Sequence, residues 1–349
     1  MAPRALLTLA WGSSRAATSL ALASAAWMLS GLSPSPLING LLPAVVSIPV
    51  LLPVPARPRL GTVLQCLAGL MLLAIAARVM PWPVPGTFAA LLLLSAGGQL
   101  VDLPVQHCLN ASAAVPMAAL RSGAEAGRLL GNGLAGILFP LGKALLQFSQ
   151  ALVLLLPWVA LVGWLGARLA PTAPAAPISH RLEPAPLLQG IVFGALFGLI
   201  PLWVRQEGAG NCFDFAMVLT AYGLGRAAAE ALPMPPRLGA APGYLMIAAA
   251  LACTQLLPGW GAVLLFVPIG VLASRCDQHL LQTLGPEDNP TLKAHRFNRS
   301  ACLGGLLGSI AMGAAGQVLG LTGVLQLQLL AFGLAALVLP RLLPASRWH

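Results

Sequence analysis

From Ser14 to Leu343 the chain is a succession of apolar stretches, each about as long as a lipid bilayer is thick, parted by Pro, Gly or small groups of charges. A helix needs roughly 20 mainly apolar residues to cross the hydrocarbon layer, and the breaks divide the chain into about twelve such stretches of that length. The first six fall at 14–32, 37–54, 60–78, 86–106, 124–147 and 150–168, and the second six at 187–205, 212–232, 242–257, 259–280, 299–319 and 322–343. Backbone groups in lipid must satisfy one another, so the spans are helices or a closed barrel. Runs such as Phe88 to Leu94 and Gln150 to Leu156 lack the polar alternation of a barrel strand. The sequence therefore predicts an all-α integral membrane protein with about 12 transmembrane helices and short loops.

Composition excludes the soluble alternative: 58% hydrophobic and 8% charged residues leave too little polar surface to wrap a water-soluble domain. The formal charge of +10 does not point to nucleic acid, because the basic residues come singly or in pairs without interleaved aromatics. They behave as topology signals instead. With an even number of helices, all of the 19 Lys and Arg residues except Arg78, Lys143 and Arg205 fall on the side that holds both termini. Short cytoplasmic loops hold the positive excess, so both termini are predicted to be cytoplasmic, in a bacterial inner membrane. Arg4, the apolar run after it and Ala23-Ser24-Ala25 imitate a signal peptide. Arg15 interrupts that run, and the first segment is read as a retained helix.

The chain also repeats itself. Pro58-Arg59-Leu60-Gly61 recurs as Pro236-Arg237-Leu238-Gly239, an offset of 178 residues (236 − 58). At the same offset Arg121-Ser122 recurs as Arg299-Ser300, and Gly127 as Gly305. An even number of spans separates the copies, which predicts two parallel six-helix pseudo-repeats related by an axis along the membrane normal. The expected division is an N-terminal bundle at 1–169, a Pro/Ala-rich cytoplasmic linker at 170–186 and a C-terminal bundle at 187–349.

Helices 4 and 5 carry a resemblance to a known family. Gly98 and Pro104 have the spacing of a helix 4 signature, followed by Pro116, Arg121 and Ala124, and then by Gly127, Gly131 and Gly136 at a spacing associated with exporters. In these positions, and in its twelve-span pattern, the whole chain resembles the major facilitator superfamily. The chain departs from that pattern at three places. The loop Pro55-Ala56-Arg57-Pro58-Arg59 lacks the expected Asp, Leu92 stands for an Arg, and Asn132 for a Pro. The resemblance implies a secondary transporter working by alternating access, with Arg57, Arg59, Asp102, Pro104, Arg121, Arg128, Arg237, Arg299 and the glycines Gly127, Gly131, Gly136 and Gly305 at gates or motif positions. The helix 5 glycines tilt the expectation toward export.

Ionisable and amide groups at membrane depth are costly and usually face a partner or a wet cavity. Gln99, Asn132, Lys143, Gln147, Tyr222, Gln255 and Gln317 are the resulting cavity candidates. Lys143 lies roughly 22 Å beyond Arg128 along helix 5 at 1.5 Å per residue, where it either faces the cavity or snorkels to the outer headgroups. As the prominent cavity charge it favours an anion over a cation as substrate. Asp102 either relays protons or pairs with Arg121 or Arg128. The cluster of Arg205, Glu207 and Asp214 is read as a solvated turn or an outer gate.

The six cysteines are scattered without a CxxC pair and are read as packing residues. Cys276, His279 and His295 lack a metal-ligand spacing. Neither GxxxxGK[ST] nor GxSxG occurs, so no cofactor and no enzyme activity is expected. The partners implied are membrane lipid, a small-molecule substrate and a coupling proton or ion. The alternative to transport is an MFS-like membrane assembly or pigment/lipid delivery protein, which would have an apolar, laterally open cavity without ion pairs.

Overall fold

A computed structural model describes residues 4–52, 57–112, 115–166, 182–206, 208, 210–231, 240–257, 259–284 and 290–343. Among them there are helices and no strands. The elements are α1 (Arg4–Leu32), α2 (Pro36–Leu51), α3 (Pro58–Ala76), α4 (Pro83–Ser112), α5 (Met117–Leu165), α6 (Pro184–Gln206), α7 (Cys212–Ala231), α8 (Ala240–Leu256), α9 (Trp260–Thr283) and α10 (Pro290–Leu342). Six helical stretches are long and apolar enough to cross a membrane: Pro58–Ala76, Pro83–Asn110, Ala119–Leu165, Pro184–Gln206, Trp260–Thr283 and Arg296–Leu342. Large apolar side chains such as Leu9, Leu141, Leu256, Val318 and Leu337 point outward. In water such a surface would be an association hazard, whereas in lipid it is the normal exterior. The chain is an integral membrane protein.

The described residues form ten helical elements where hydropathy predicts about twelve spans, because α5 and α10 each run through two of those spans across a kink. Each contains one residue far from helical geometry: Lys143 (φ 56°, ψ −158°) in α5 and Gly320 (φ 71°, ψ 173°) in α10. The α10 break falls in the expected gap between 319 and 322. The α5 break comes earlier than the expected gap after residue 147, because Pro140 withholds a backbone donor and Gly142 weakens the helix just before it. Gln147 therefore lies on the second leg of α5. At the other end, α1 begins at Arg4 rather than near residue 14. Arg15 does not interrupt it, since Asp102 neutralises that charge.

The described residues divide into two compact units. The first gathers those within Met1–Ser33, Leu52–Ala176 and Asn211–Met217, and the second those within Pro34–Leu51, Pro177–Gly210 and Val218–His349. The units are thus not simply consecutive halves: α2 clusters with the second, and the first turn of α7 with the first.

In the first unit α1 packs along α5, and α3 along α4. Helices in lipid lack a hydrophobic force between them and associate through close backbone packing at small residues. A Cβ on Gly127 would fall on the Gly12 carbonyl, one on Gly131 on the Ala16 carbonyl, and one on Gly123 within 2.9 Å of Thr8 Cγ2. In the second unit α6 packs along α10 in the same way, with Gly190 against Ala301, Gly194 against Gly305, and Gly304 and Gly308 against the Leu187 and Ile191 carbonyls. Gly190 and Gly305 lie 178 residues beyond Gly12 and Gly127 (190 − 12 and 305 − 127), but a Cβ on Gly127 would overlap the Gly12 carbonyl whereas one on Gly305 would lie 3.8 Å from the Gly190 carbonyl oxygen. α2 and α8 complete the second unit against α10, and Gly225 and Gly270 seat α7 on α9.

Candidate functional site

In each unit an Arg–Asp pair joins two helices. In the first unit Arg15 of α1 meets Asp102 of α4, its Nη1 and Nη2 each 2.7 Å from one carboxylate oxygen. The guanidinium also lies over the Trp11 ring, 4.2 Å from its centroid. Trp11 donates to the Leu120 carbonyl and meets Trp158 edge-on at 5.7 Å, and Trp158 donates to Gln65 Oε1 at 3.0 Å. Each polar tip in this aromatic cluster has a partner, as a buried indole requires. Asp102 thus pairs with Arg15, neither with Arg121 nor with Arg128. Arg121 is exposed, and Arg128 pairs with Glu125 one turn away.

In the second unit Arg226 of α7 meets Asp277 of α9, with Nη1 2.8 Å from Oδ2. Gln189 of α6 donates to the other carboxylate oxygen, and Tyr244 of α8 donates to Gln189 Oε1 at 3.3 Å. Tyr222, one turn before Arg226, places its hydroxyl 3.5 Å from the same Nη1. Four helices therefore converge on one polar network. It opens into a cavity of about 330 Å³ whose wall combines this network with Phe193, Phe197 and Ala273, the α10 face around Phe297 and Gly305, and Pro43 and Ser47 of α2. The cavity lies wholly within the second unit. Arg226 and Asp277 keep 31% and 27% of their side-chain surface accessible, so the pair is open to a solute rather than sealed in packing.

Of the residues expected from the sequence, Tyr222 and Gly305 line this cavity. Lys143 is exposed at the α5 break. Gln147 is buried in the first unit, donating to the Ala135 carbonyl and lying 3.7 Å from Cys212 Sγ. Gln99, Asn132 and Pro104 are half-buried. Gln255 is exposed beside a small apolar pocket of about 30 Å³ and accepts from Gln326 at 3.2 Å. Gln317 accepts from the Ser35 hydroxyl at 3.0 Å. Arg57 and Arg59 are exposed at the start of α3, and Arg299 is half-buried in α10. Gly136 packs against Phe213 and Ala216 of α7. Arg237 and Glu207 lie outside the described residues. Asp214 caps α7 reciprocally with Asn211: Asn211 Oδ1 accepts from the backbones of Phe213 and Asp214, and Asp214 Oδ2 accepts from the backbone of Asn211.

Arg15, Arg226, Asp277 and Gln189 carry the two networks and were not singled out from the sequence. Their signal was present, since all four fall in or beside apolar spans. The arginines had been absorbed into the count of topological charges.

The helical array of the described residues shares its fold with solved membrane transporters. The likeness covers nearly the whole chain. The nucleoside transporter NupG is 12% identical, with 98% of each chain covered and a TM-score of 0.67. A POT family transporter in complex with a thioalcohol-conjugated peptide is 11% identical, covering 97% of this chain and 96% of that one at a TM-score of 0.71. A bacterial homolog of the human lysosomal transporter Spinster, in an inward-facing and occupied conformation, is 12% identical, covering 97% and 94% at a TM-score of 0.60. Each of these is named as a transporter or a transporter homolog. No family model and no curated protein matches the chain.

Proposed function

We propose that the protein is a secondary transporter that moves a small solute across its membrane by alternating access. The observation that carries this reading is the cavity of the second unit, in which Arg226, Asp277, Gln189 and Tyr222 from three helices bring polar groups together amid a largely apolar wall. A ligand site is typically a mostly apolar pocket of at least roughly 300 Å³ with a few convergent polar groups. Charge retained at membrane depth generally marks a solute or ion pathway. The same ion pair weighs against the assembly or delivery reading, for which an uncharged cavity is expected.

In this reading the non-helical residues Lys143 and Gly320 divide α5 and α10 into two spans each, giving twelve. The bundles are 1–169 and 187–349, joined by a cytoplasmic linker at 170–186, with both termini in the cytoplasm of a bacterial inner membrane. The close glycine contacts of α1 with α5 and of α6 with α10 make each bundle stiff enough to move as a body. The α5 glycines favour export, and a proton or ion gradient supplies the drive.

The test is uptake and efflux of a mixed metabolite and drug panel in vesicles holding the purified protein, with and without an imposed proton gradient. Gradient-dependent movement of a solute is expected, and its sign gives the direction. No movement by well-folded protein across the panel would transfer the weight to assembly or delivery.

A further inference from the structure

The cavity of the second unit has a charge pattern that selects among solutes. Among the described residues of its lining, Arg226 and Asp277 are the ionised groups, so the wall holds one positive and one negative charge and no net charge. Arg226 spends Nη1 on Asp277 and Tyr222, and among the described residues nothing bonds its Nη2 or Nε. A guanidinium edge with two parallel donors matches a carboxylate. Asp277 receives one partner on each oxygen, Arg226 on Oδ2 and Gln189 on Oδ1. An ionised carboxylate has about four lone-pair sites, so acceptor capacity remains for an ammonium.

These groups form a dipole open to the cavity. A purely cationic solute approaching Asp277 meets the charge of Arg226 beside it, and a purely anionic solute approaching Arg226 meets Asp277. Pulling the pair apart to accommodate either would leave a charge uncompensated in a weakly polarisable wall. A solute carrying both charges lies antiparallel to the pair, carboxylate on Arg226 and ammonium on Asp277, so that every charge gains a partner and none loses one. The remaining wall defines the rest of the solute. Phe193 and Phe197 face the same space, and the Phe197 and Tyr222 rings meet edge-on at 4.8 Å, which provides an aromatic surface next to the charged end.

We propose that the solute bound in this cavity is a small zwitterion with an apolar or aromatic side chain, an α-amino acid or a compound of that size and charge. The inference rests on the transporter reading for its biological meaning, but binding is measured without transport. The experiment uses the purified full chain and three probes sharing one ring: L-phenylalanine, phenethylamine, which lacks the carboxylate, and 3-phenylpropionate, which lacks the amine. The expected result is that phenylalanine binds at least about tenfold more tightly than either analogue, a difference that one retained charge pair readily supplies. Asp277→Asn is expected to move the preference toward 3-phenylpropionate, and Arg226→Gln toward phenethylamine, a reversal that general loosening of the fold would not produce.

Absence of phenylalanine binding overturns the proposal, as does equal binding of the three probes by the unaltered protein. A preference unmoved by both substitutions in folded protein does so as well. Zwitterion binding without movement in vesicles leaves the inference standing and removes transport, whereas transport confined to another charge class does the reverse.

Discussion

Gly97→Ala tests whether close backbone contact, rather than apolar bulk, holds the helices of the first unit together. Gly97 of α4 faces Gly61 of α3, and a Cβ at either position would lie 2.6 Å from the carbonyl oxygen of the other. At Gly97 the new methyl would also meet Gln65 Cγ at 2.8 Å and Gln65 N at 3.1 Å. Two of these three atoms are backbone, and the Gln65 side chain is held by Trp158 through a 3.0 Å hydrogen bond. Ordinary contact begins at about 3.4 Å, so the two helices must separate by about 0.8 Å along their seam. Overpacking of this kind costs about 1–3 kcal/mol, and with backbone as the obstacle the upper end applies. Alanine recovers about 0.5–1 kcal/mol through its better helix propensity, leaving a net loss of about 2 kcal/mol. Gly133 on α5 is the internal control, because a Cβ there meets nothing within 4 Å. Gly133→Ala is therefore expected to stabilise by about 0.5–1 kcal/mol. Thermal unfolding of the detergent-purified variants, followed by tryptophan fluorescence, should move in opposite directions, down for Gly97→Ala and up for Gly133→Ala. A Gly97→Ala protein as stable as Gly133→Ala would refute the packing argument.

Lys143 occupies a region of backbone space that only glycine enters without strain, so Lys143→Gly is expected to raise the unfolding midpoint, by about 1 kcal/mol of the 1–3 such a conformation costs; Lys143→Ala should not. Asn211→Ala removes the side chain that caps α7 and is expected to cost about 1 kcal/mol in the same assay. A double-mutant cycle of Arg15→Ala and Asp102→Ala should give a coupling of about 1–3 kcal/mol, and additive losses would mean that the pair contributes no mutual stabilisation.

The fold was legible in the sequence where a local cause sets it. Apolar length gave the helices, and the break at Gly320 fell between two hydropathic spans. At α7 the local signal was present but not used: Asn211 and Asp214 stand three apart as a capping pair, where Asp214 was read only as part of a solvated turn or outer gate. The other failures share a different origin. Arg15 was counted as a topological charge because its partner is 87 residues away on α4. Arg226 passed as a loop charge because Asp277 belongs to another helix. Lys143 was placed inside a span because the bend it occupies depends on Pro140 and Gly142 together.

Glycine seams and ion pairs place complementary constraints on each unit. The contacts of Gly12 with Gly127 and of Gly194 with Gly305 bring helix axes close, but a run of small residues resists sliding by one turn only weakly. A charge pair has no such degeneracy. Moving α1 by one turn against α4 would carry Arg15 about 5.4 Å from Asp102 and leave two charges unpaired among apolar side chains, which is strongly unfavourable. Arg15–Asp102 therefore fixes the register of the first unit, and Arg226–Asp277 does the same for α7 against α9 in the second. The difference between them lies in what surrounds the pair. Arg15 is capped by the Trp11 ring and backed by Trp158, whereas Arg226 and Asp277 open onto a cavity large enough for a solute. One pair is built to hold helices in place, and the other, with the same chemistry, retains the capacity to bind.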